Sequence, residues 1–232
     1  MTSIADLLRI CPPPAHPVSV DWGAVESTLG VKLPTDYKQL ATMYGPGNFC
    51  EYLRVYHPHG PTEWVNLFGP MPATLRRQLR DDRDTGRFPV PHAPDSLFAC
   101  GVTDNGEYLF WIAEPADDPD HWRLAINEAR GPRWYTFDGS LVAFLAASFS
   151  GRIEVPLFPD GLLDDGVSFS RDSEQQLPGS HATDLDSSGA AQTVDPHVIR
   201  AWARANGYDL PDRGRIPTAI TQAWQRASIR SD

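Results

Sequence analysis

A short basic motif near the end of the chain, Arg213-Gly214-Arg215, has the residue types and spacing to contact the minor groove of DNA. Glycine has no Cβ, so its backbone can approach the floor of the groove closely. The flanking guanidinium groups can then extend along the groove in opposite directions. A·T-rich tracts have a narrow groove with enhanced negative potential and lack the guanine amino group that would obstruct the approach. The motif therefore predicts contacts with A·T-rich double-stranded DNA.

Two predicted helices position this motif between them. The first covers residues 195–206 and ends at Gly207, and the second begins at Pro217. Trp202 and Trp224 lie on the apolar stripes of these helices, and we expect them to meet in a small core. About forty residues is near the lower limit for unaided folding, so two tryptophans are needed there. We therefore predict a small all-α domain over residues 192–232.

The sequence of this region resembles the C-terminal DNA-binding domain of the actinobacterial H-NS-like, histone-like nucleoid proteins. The resemblance rests on residues 199–208 and 212–217 and is nearly continuous over about 35 residues. It implies binding of AT-rich DNA and a role in silencing AT-rich, often horizontally acquired, genes. The DNA-binding residues that it implies are Arg213, Gly214 and Arg215, with Arg200 and Arg204 as helpers on the first helix.

Two features of the chain differ from those nucleoid proteins. They normally carry a short β-rich N-terminal oligomerisation domain, which is replaced here, so bridging of DNA is not implied. Asp209 and Asp212 also lie beside the arginines and weaken the positive field. The alternative interpretation of the region is a pair of helices that docks a peptide, with its arginines in solvent.

Charge is distributed unevenly along the chain. The 232 residues carry 20 basic and 30 acidic side chains, a net charge of −10 that by itself argues against a partner as acidic as DNA. Residues 1–159 and 160–191 each contribute −6, whereas residues 192–232 contribute +2. The middle segment is rich in Ser, Gly and Asp, which predicts a disordered acidic linker. We therefore predict an interaction domain, a linker and a DNA-binding domain over these three ranges.

The first of these ranges predicts an α+β domain, with helices around a mostly antiparallel sheet. An Asn-Gly turn at residues 105–106 predicts a hairpin, because both residues tolerate positive φ. The predicted helices cover residues 20–30, 36–44, 72–82 and 141–149. The predicted strands cover residues 52–56, 64–68, 97–102, 108–113, 122–127 and 133–137.

Residues 1–158 resemble the SUKH superfamily, which includes yeast cell-wall-synthesis regulators and bacterial toxin-immunity proteins. The motifs are Trp22-x-x-x-Glu26, Leu29-Gly30, Leu33-Pro34-x-Asp36-Tyr37, Tyr44-Gly45-x-Gly47 and the later Asp104-Asn105-Gly106 hairpin. The resemblance implies an interaction domain that binds a protein partner, a toxin in many bacterial members. Partner surfaces vary within the family, so no binding residue is transferred. We interpret the motif residues as structural: Trp22, Tyr37 and Tyr44 in a core, Gly30 and Gly47 in turns, and Pro34 at a helix start.

Patterns that would indicate an enzyme or a metal site are weak. His57-x-His59 lacks a third ligand in register, so we interpret both histidines as surface residues. Asp81-Asp82-x-Asp84 and Asp117-Asp118-x-Asp120 are interpreted as solvated acidic faces. Cys50 or Cys100 would need a histidine and an orienting group to act as a nucleophile. We predict no catalytic residues, no metal and no cofactor.

The remaining features concern location and function. Three cysteines without CxxC spacing fit a reducing cytoplasm. The longest apolar run, residues 141–149, is about half a membrane span, and the first ten residues do not form a signal peptide. We therefore predict a cytoplasmic, nucleoid-associated, non-enzymatic protein that binds AT-rich DNA and an unidentified protein partner, without membrane contact. The alternative is a SUKH-type toxin-immunity protein with an auxiliary DNA-binding tail.

Overall fold

The structure, a computed structural model, describes residues 4–129 and 131–172. The chain divides into two units, Met1–Gln175 and Gln176–Asp232, of which the first contains all described residues. The predicted two-helix domain over residues 192–232 and the greater part of the predicted linker lie outside the described residues. All described helices and strands therefore belong to the first unit.

The first unit has an α+β fold with an antiparallel sheet, as predicted. Its described residues form five α-helices and seven strands. The strands follow the order β6-β5-β4-β3-β2-β1-β7, so β6 and β7 are the edges. The helices are α1 (Ile4–Ile10), α2 (Trp22–Leu29), α3 (Thr35–Tyr44), α4 (Met71–Thr85) and α5 (Leu141–Phe149). The strands are β1 (Gly47–Phe49), β2 (Leu53–Val55), β3 (Leu97–Thr103), β4 (Tyr108–Ile112), β5 (Arg123–Asn127), β6 (Trp134–Phe137) and β7 (Phe169–Arg171).

The core forms where α1, α3 and α5 pack together over the sheet. α5 is apolar on all sides, and eight of its nine residues are buried, as expected for a helix without a solvent face. α4 instead packs against β3 through one apolar side that includes Leu75 and Leu79. None of the helices among the described residues is long and apolar enough to cross a bilayer.

Local signals set the ends of the predicted elements. The side chain of Asp21 accepts a hydrogen bond from the backbone N–H of Ala24 at 3.0 Å, which caps α2. Gly30 ends this helix with φ of 68°, a conformation that favours glycine. Gly106, with φ of 94°, closes the predicted hairpin between β3 and β4. α3 begins at Thr35, whose backbone N–H and hydroxyl both bind the Asp120 carboxylate.

The predicted strand over residues 64–68 is wrong. These residues belong to a compact loop over residues 57–69, in which the only strand-like pairing is an isolated bridge between His57 and Asn66. Asn66 closes the loop, because its side-chain amide donates to the carbonyls of Pro58 at 3.1 Å and Gly60 at 3.2 Å. Tertiary contacts therefore override the strand-forming residue types of this segment.

The folded region also extends into the predicted linker. Residues 160–172 belong to the first unit, and β7 pairs with β1 at the sheet edge. Composition averaged over residues 160–191 hides this strand, because Phe169 and Arg171 are the few anchoring side chains in a Ser- and Asp-rich segment. α1 and β1 are likewise absent from the elements predicted by the sequence.

Candidate functional site

The predicted DNA-binding residues Arg200, Arg204, Arg213, Gly214 and Arg215 lie outside the described residues, so their roles stay predictions. The described part of the chain tests the other candidate residues: the SUKH-like motifs, the histidine pair, the cysteines and the acidic clusters. It also contains surfaces that the sequence does not reveal.

Glu26 of the first motif is a buried ion-pair centre between α2 and α3. Its carboxylate accepts hydrogen bonds from Lys32 Nζ at 2.7 Å, Lys38 Nζ at 2.9 Å and the backbone N–H of Leu33 at 3.1 Å. Burial alone would raise the pKa of Glu26, but these three donors outweigh it and lower the pKa to about 2. Glu26 therefore stabilises the fold as an anion at neutral pH.

Tyr37 and Tyr44 are buried in the core, as predicted, whereas Trp22 is half-buried against it. Tyr37 is fully buried, lies edge-on to Trp22 at 5.7 Å and to Trp111 at 4.9 Å, and donates its hydroxyl hydrogen to the Tyr56 carbonyl. Tyr44 is also buried and donates to the Cys11 carbonyl. Tyr37 and Tyr44 are therefore committed to the fold, whereas Trp22 also lines an open pocket at the surface with Ile4 and Met43.

Gly47 has a different role from the predicted turn. It lies within β1 opposite Arg171 of β7, and a Cβ at this position would collide with the Ser170 carbonyl oxygen and approach Arg171 Cα to 2.9 Å. Glycine is required here for close approach of the two backbones, not for a positive φ. Gly47 therefore allows β7, which comes from the segment predicted to be a linker, to pair with β1.

Side chains of the last described residues fasten this strand to the first unit. The Arg171 guanidinium donates to the carbonyl of Tyr44 at 3.0 Å, at the end of α3, and to the carbonyl of His16 at 2.7 Å. Asp172 forms an ion pair with Arg54 at 3.0 Å. Phe169 packs on the ring of Tyr44 at 5.0 Å. The chain therefore continues toward its C-terminal region from a fixed position at the sheet edge.

The prediction that both histidines lie at the surface is wrong for His57, which is buried at 2% exposure. His59 is exposed, as predicted. The Nε2 of His57 lies 3.2 Å from the Ala41 carbonyl, and its Nδ1 accepts the backbone N–H of His59 at 2.9 Å. Burial lowers the pKa of His57 to about 4, so the ring is neutral near pH 7. Nε2 therefore joins the 57–69 loop to α3, whereas Nδ1 holds the loop together through His59. Within the described ranges, no group of three His, Cys, Asp or Glu side chains is arranged to hold a metal.

The two candidate nucleophiles are buried. Cys100 is fully enclosed, and burial raises the pKa of its thiol well above the usual value. Cys50 is 3% exposed. Since the thiolate is the reactive form, this burial disfavours nucleophilic chemistry at Cys100.

The acidic clusters lie largely in solvent, as predicted, with one exception. Asp82 is buried on α4, whereas its neighbours Asp81 and Asp84 are exposed. Asp118 forms an ion pair with His121 at 2.7 Å, which raises the pKa of that imidazole. Asp120 binds the backbone and hydroxyl of the first residue of α3. These last two carboxylates hold a loop and a helix end in place.

Two further surface features among the described residues suit binding rather than catalysis. One is the 57–69 loop, which exposes Trp64 at 58% and Phe68 at 42%. The other, which we name the acidic groove, has a volume of about 560 Å³ and lies between the end of α5 and residues 153–163. Its lining includes Glu154, Asp160 and apolar side chains. Neither feature has a sequence signature, because each depends on how turns fold back on the core.

Comparison with known protein families finds a similarity at the C-terminal end of the chain. Residues 191–227 match the family model of the Lsr2 DNA-binding domain. The matched range contains every predicted DNA-binding residue. No solved structure matches the chain. The family match supports a DNA-binding C-terminal region, in agreement with the prediction from the sequence.

Proposed function

We propose that this chain is a non-enzymatic DNA-binding protein whose residues 192–232 bind A·T-rich DNA in the minor groove. Arg213 and Arg215 enter the groove on either side of Gly214, and Arg200 and Arg204 assist. The observation that carries the proposal is the match of residues 191–227 to the Lsr2 DNA-binding domain, which includes all five residues. The proposed location is the cytoplasm, in association with the nucleoid.

The charge distribution supports selective rather than strong binding. Residues 192–232 have a net charge of only +2, so nonspecific attraction to phosphates is small. If three arginines neutralise phosphates, the logarithm of the binding constant falls with the logarithm of salt concentration at a slope of about −2.7. Useful occupancy then depends on a second contact that adds avidity. A protein partner bound to the first unit supplies such a contact.

The first unit is proposed to bind a protein partner and not DNA. Residues 1–172 carry 14 Lys and Arg side chains against 23 Asp and Glu side chains, which repels a polyanion. Its recognisable motif residues are occupied in the fold, whereas its exposed aromatic loop and acidic groove are open to a partner. Together the two regions fit a role in nucleoid organisation or gene silencing.

The proposal is tested by fluorescence anisotropy of the full chain on labelled duplexes of equal length, one A·T-rich and one G·C-rich. We expect the A·T-rich duplex to bind at least about tenfold more tightly, in line with groove-width and amino-group discrimination. A salt series gives the number of phosphate contacts. Equal affinity for both duplexes across the series would refute the minor-groove proposal.

A second candidate function is toxin immunity, with the DNA-binding region as an auxiliary. The acidic surface of the first unit favours it, because this surface would suit a basic toxin. Coexpression with the product of a neighbouring toxin gene discriminates between the two functions. Growth rescue that survives Arg213→Ala/Arg215→Ala would establish immunity independent of DNA, whereas absence of rescue would exclude it for that toxin.

A further inference from the structure

The acidic groove is a preformed feature of the first unit. One wall is the C-terminal end of α5 at Ser148 and Gly151, and the other is formed by residues 153–163. Consecutive turns build the second wall, with hydrogen bonds from Phe158 N to Val155 O at 2.9 Å and from Leu162 N to Pro159 O at 3.1 Å. A rigid wall of this kind needs no ordering when a ligand binds.

Apolar anchors hold these turns against the core. Val155, Leu157 and Leu162 are buried, and the Phe158 ring lies edge-on to Tyr52 at 5.4 Å and to Phe144 at 6.1 Å. The groove therefore keeps its shape through the same contacts that stabilise the first unit. Its floor offers half-buried apolar side chains, Ile153 and Leu163, to an occupant.

The rim of the groove carries negative charge. Glu154 and Asp160 line it, both are exposed, and neither has an ion-pair or hydrogen-bond partner among the described residues. The C-terminal end of α5 adds the negative end of a helix dipole. Residues 148–166 contain four acidic residues and one basic residue, Arg152, whose Nε donates to Ser150 Oγ at 2.9 Å. The apolar floor and the acidic rim of the groove together complement a peptide segment in which basic and apolar side chains alternate.

We propose that the acidic groove binds a basic, apolar peptide segment of the protein partner. Arginine or lysine side chains pair with Glu154 and Asp160, while an apolar side chain of the segment contacts Ile153 and Leu163. The volume of about 560 Å³ lies in the size range of ligand-binding clefts in proteins. This proposal rests on the proposed role of the first unit as a protein-binding domain and names the chemistry of its partner.

The test uses the full chain and a fluorescein-labelled ten-residue peptide that alternates arginine and leucine. We expect binding with a Kd on the order of 10–100 µM, typical of a small preformed site. A peptide that alternates glutamate and leucine should not bind. Glu154→Gln/Asp160→Asn should weaken binding of the arginine peptide about tenfold. Chemical-shift changes in ¹⁵N-labelled protein should cluster at Ser148, Gly151 and residues 153–163.

A matched control separates the groove from general attraction to an acidic protein. Glu114→Gln/Asp84→Asn removes the same charges from exposed positions outside the groove and the 57–69 loop, and should change affinity less than about twofold. Equal losses in the two double variants, no measurable binding of the arginine peptide, or shift changes outside the groove would each overturn the proposal. The Glu154/Asp160 variant should keep its preference for A·T-rich duplexes. Peptide binding therefore tests the groove, and duplex preference tests the DNA-binding proposal independently.

Discussion

In the first unit the recognisable motif residues serve the fold, whereas in residues 192–232 the recognisable motif is itself the proposed contact. Tyr37 and Glu26 are buried among partners of the same unit. Arg213 and Arg215 are placed by the sequence in a connection between two predicted helices, where a folding role is not evident. Motif residues that pack in a core thus leave the binding surface of their fold unspecified.

This contrast predicts that changes in the two regions affect different measurements. Variants of the C-terminal arginines should alter DNA affinity and leave the stability of the first unit unchanged. Variants of the first-unit motif should alter stability and leave the intrinsic preference for A·T-rich DNA unchanged. A first-unit motif variant that changed the preference for A·T-rich DNA, or an arginine variant that changed the stability of the first unit, would contradict this separation.

The largest effect is expected for Arg213→Ala/Arg215→Ala. Loss of two minor-groove arginines, at about 1–3 kcal/mol each, should weaken binding of an A·T-rich duplex by about a hundredfold or more. Fluorescence anisotropy measures the affinity, and urea unfolding of the first unit should be unchanged. The matched control is Arg226→Ala/Arg230→Ala, which removes the same charge from the same region. A control as damaging as the test variant would show that only net charge matters.

The next largest effect is expected for Glu26→Gln. The pKa of Glu26 is about 2 in the folded chain and near 4.5 when unfolded, so its ionisation stabilises the fold above pH 4.5 and this stability is lost as the pH falls toward 2. We expect the substitution to cost about 3 kcal/mol of unfolding free energy at pH 7 and much less near pH 2. Urea unfolding at several pH values checks this, with the exposed Glu63→Gln as control. A cost independent of pH would contradict an ionic role.

A smaller effect is expected for Gly47→Val at the contact between β1 and β7. The new side chain would displace Ser170 and Arg171, which should lower the unfolding free energy by about 2 kcal/mol and detach β7. Hydrogen exchange should accelerate at the amides of Cys50 and Asp172, which donate to Ser168 and Pro46 across this edge. Gly23→Ala, in α2 with only ordinary contacts, is the control. Unchanged exchange would show that β7 is not held by close approach.

The smallest effect, a gain of stability, is expected for Glu51→Gly. Cys50 and Glu51 form the turn between β1 and β2 with φ of 53° and 51°, a conformation that glycine adopts without strain. Relief of this strain should raise the unfolding free energy, measured by urea unfolding, by about 0.5–1 kcal/mol. Glu51→Ala keeps the strain and should give no gain, so an equal gain in both variants would assign the effect to the lost carboxylate.

Local chemistry explains how much of the fold can be predicted from the sequence. Asp21, Gly30 and the Asn-Gly turn act on their immediate neighbours, so the predicted bounds of α2 and the β3–β4 hairpin are close to those observed. β7 and the 57–69 loop depend on contacts between distant segments, such as Gly47 against Ser170 and His57 against Ala41. Those contacts have no local pattern, and residue types alone misassign both segments.

The candidate sites divide in the same way. The Arg-Gly-Arg motif is contiguous, and its proposed chemistry follows from residue types and spacing alone. The acidic groove joins a helix end to turns whose Pro, Gly and Asp content is typical of a linker. Its walls become visible only when Phe158 and Leu162 are placed in the core. A surface of this kind cannot be predicted from one sequence.

The most direct test of minor-groove binding is the affinity of the full chain for duplexes that contain inosine·cytosine pairs. Such a pair presents a minor groove like A·T, without the amino group, and a major groove like G·C. Minor-groove contact through Arg213 and Arg215 predicts affinity close to that of the A·T-rich duplex of matched sequence. Affinity equal to that of the G·C-rich duplex would contradict minor-groove contact.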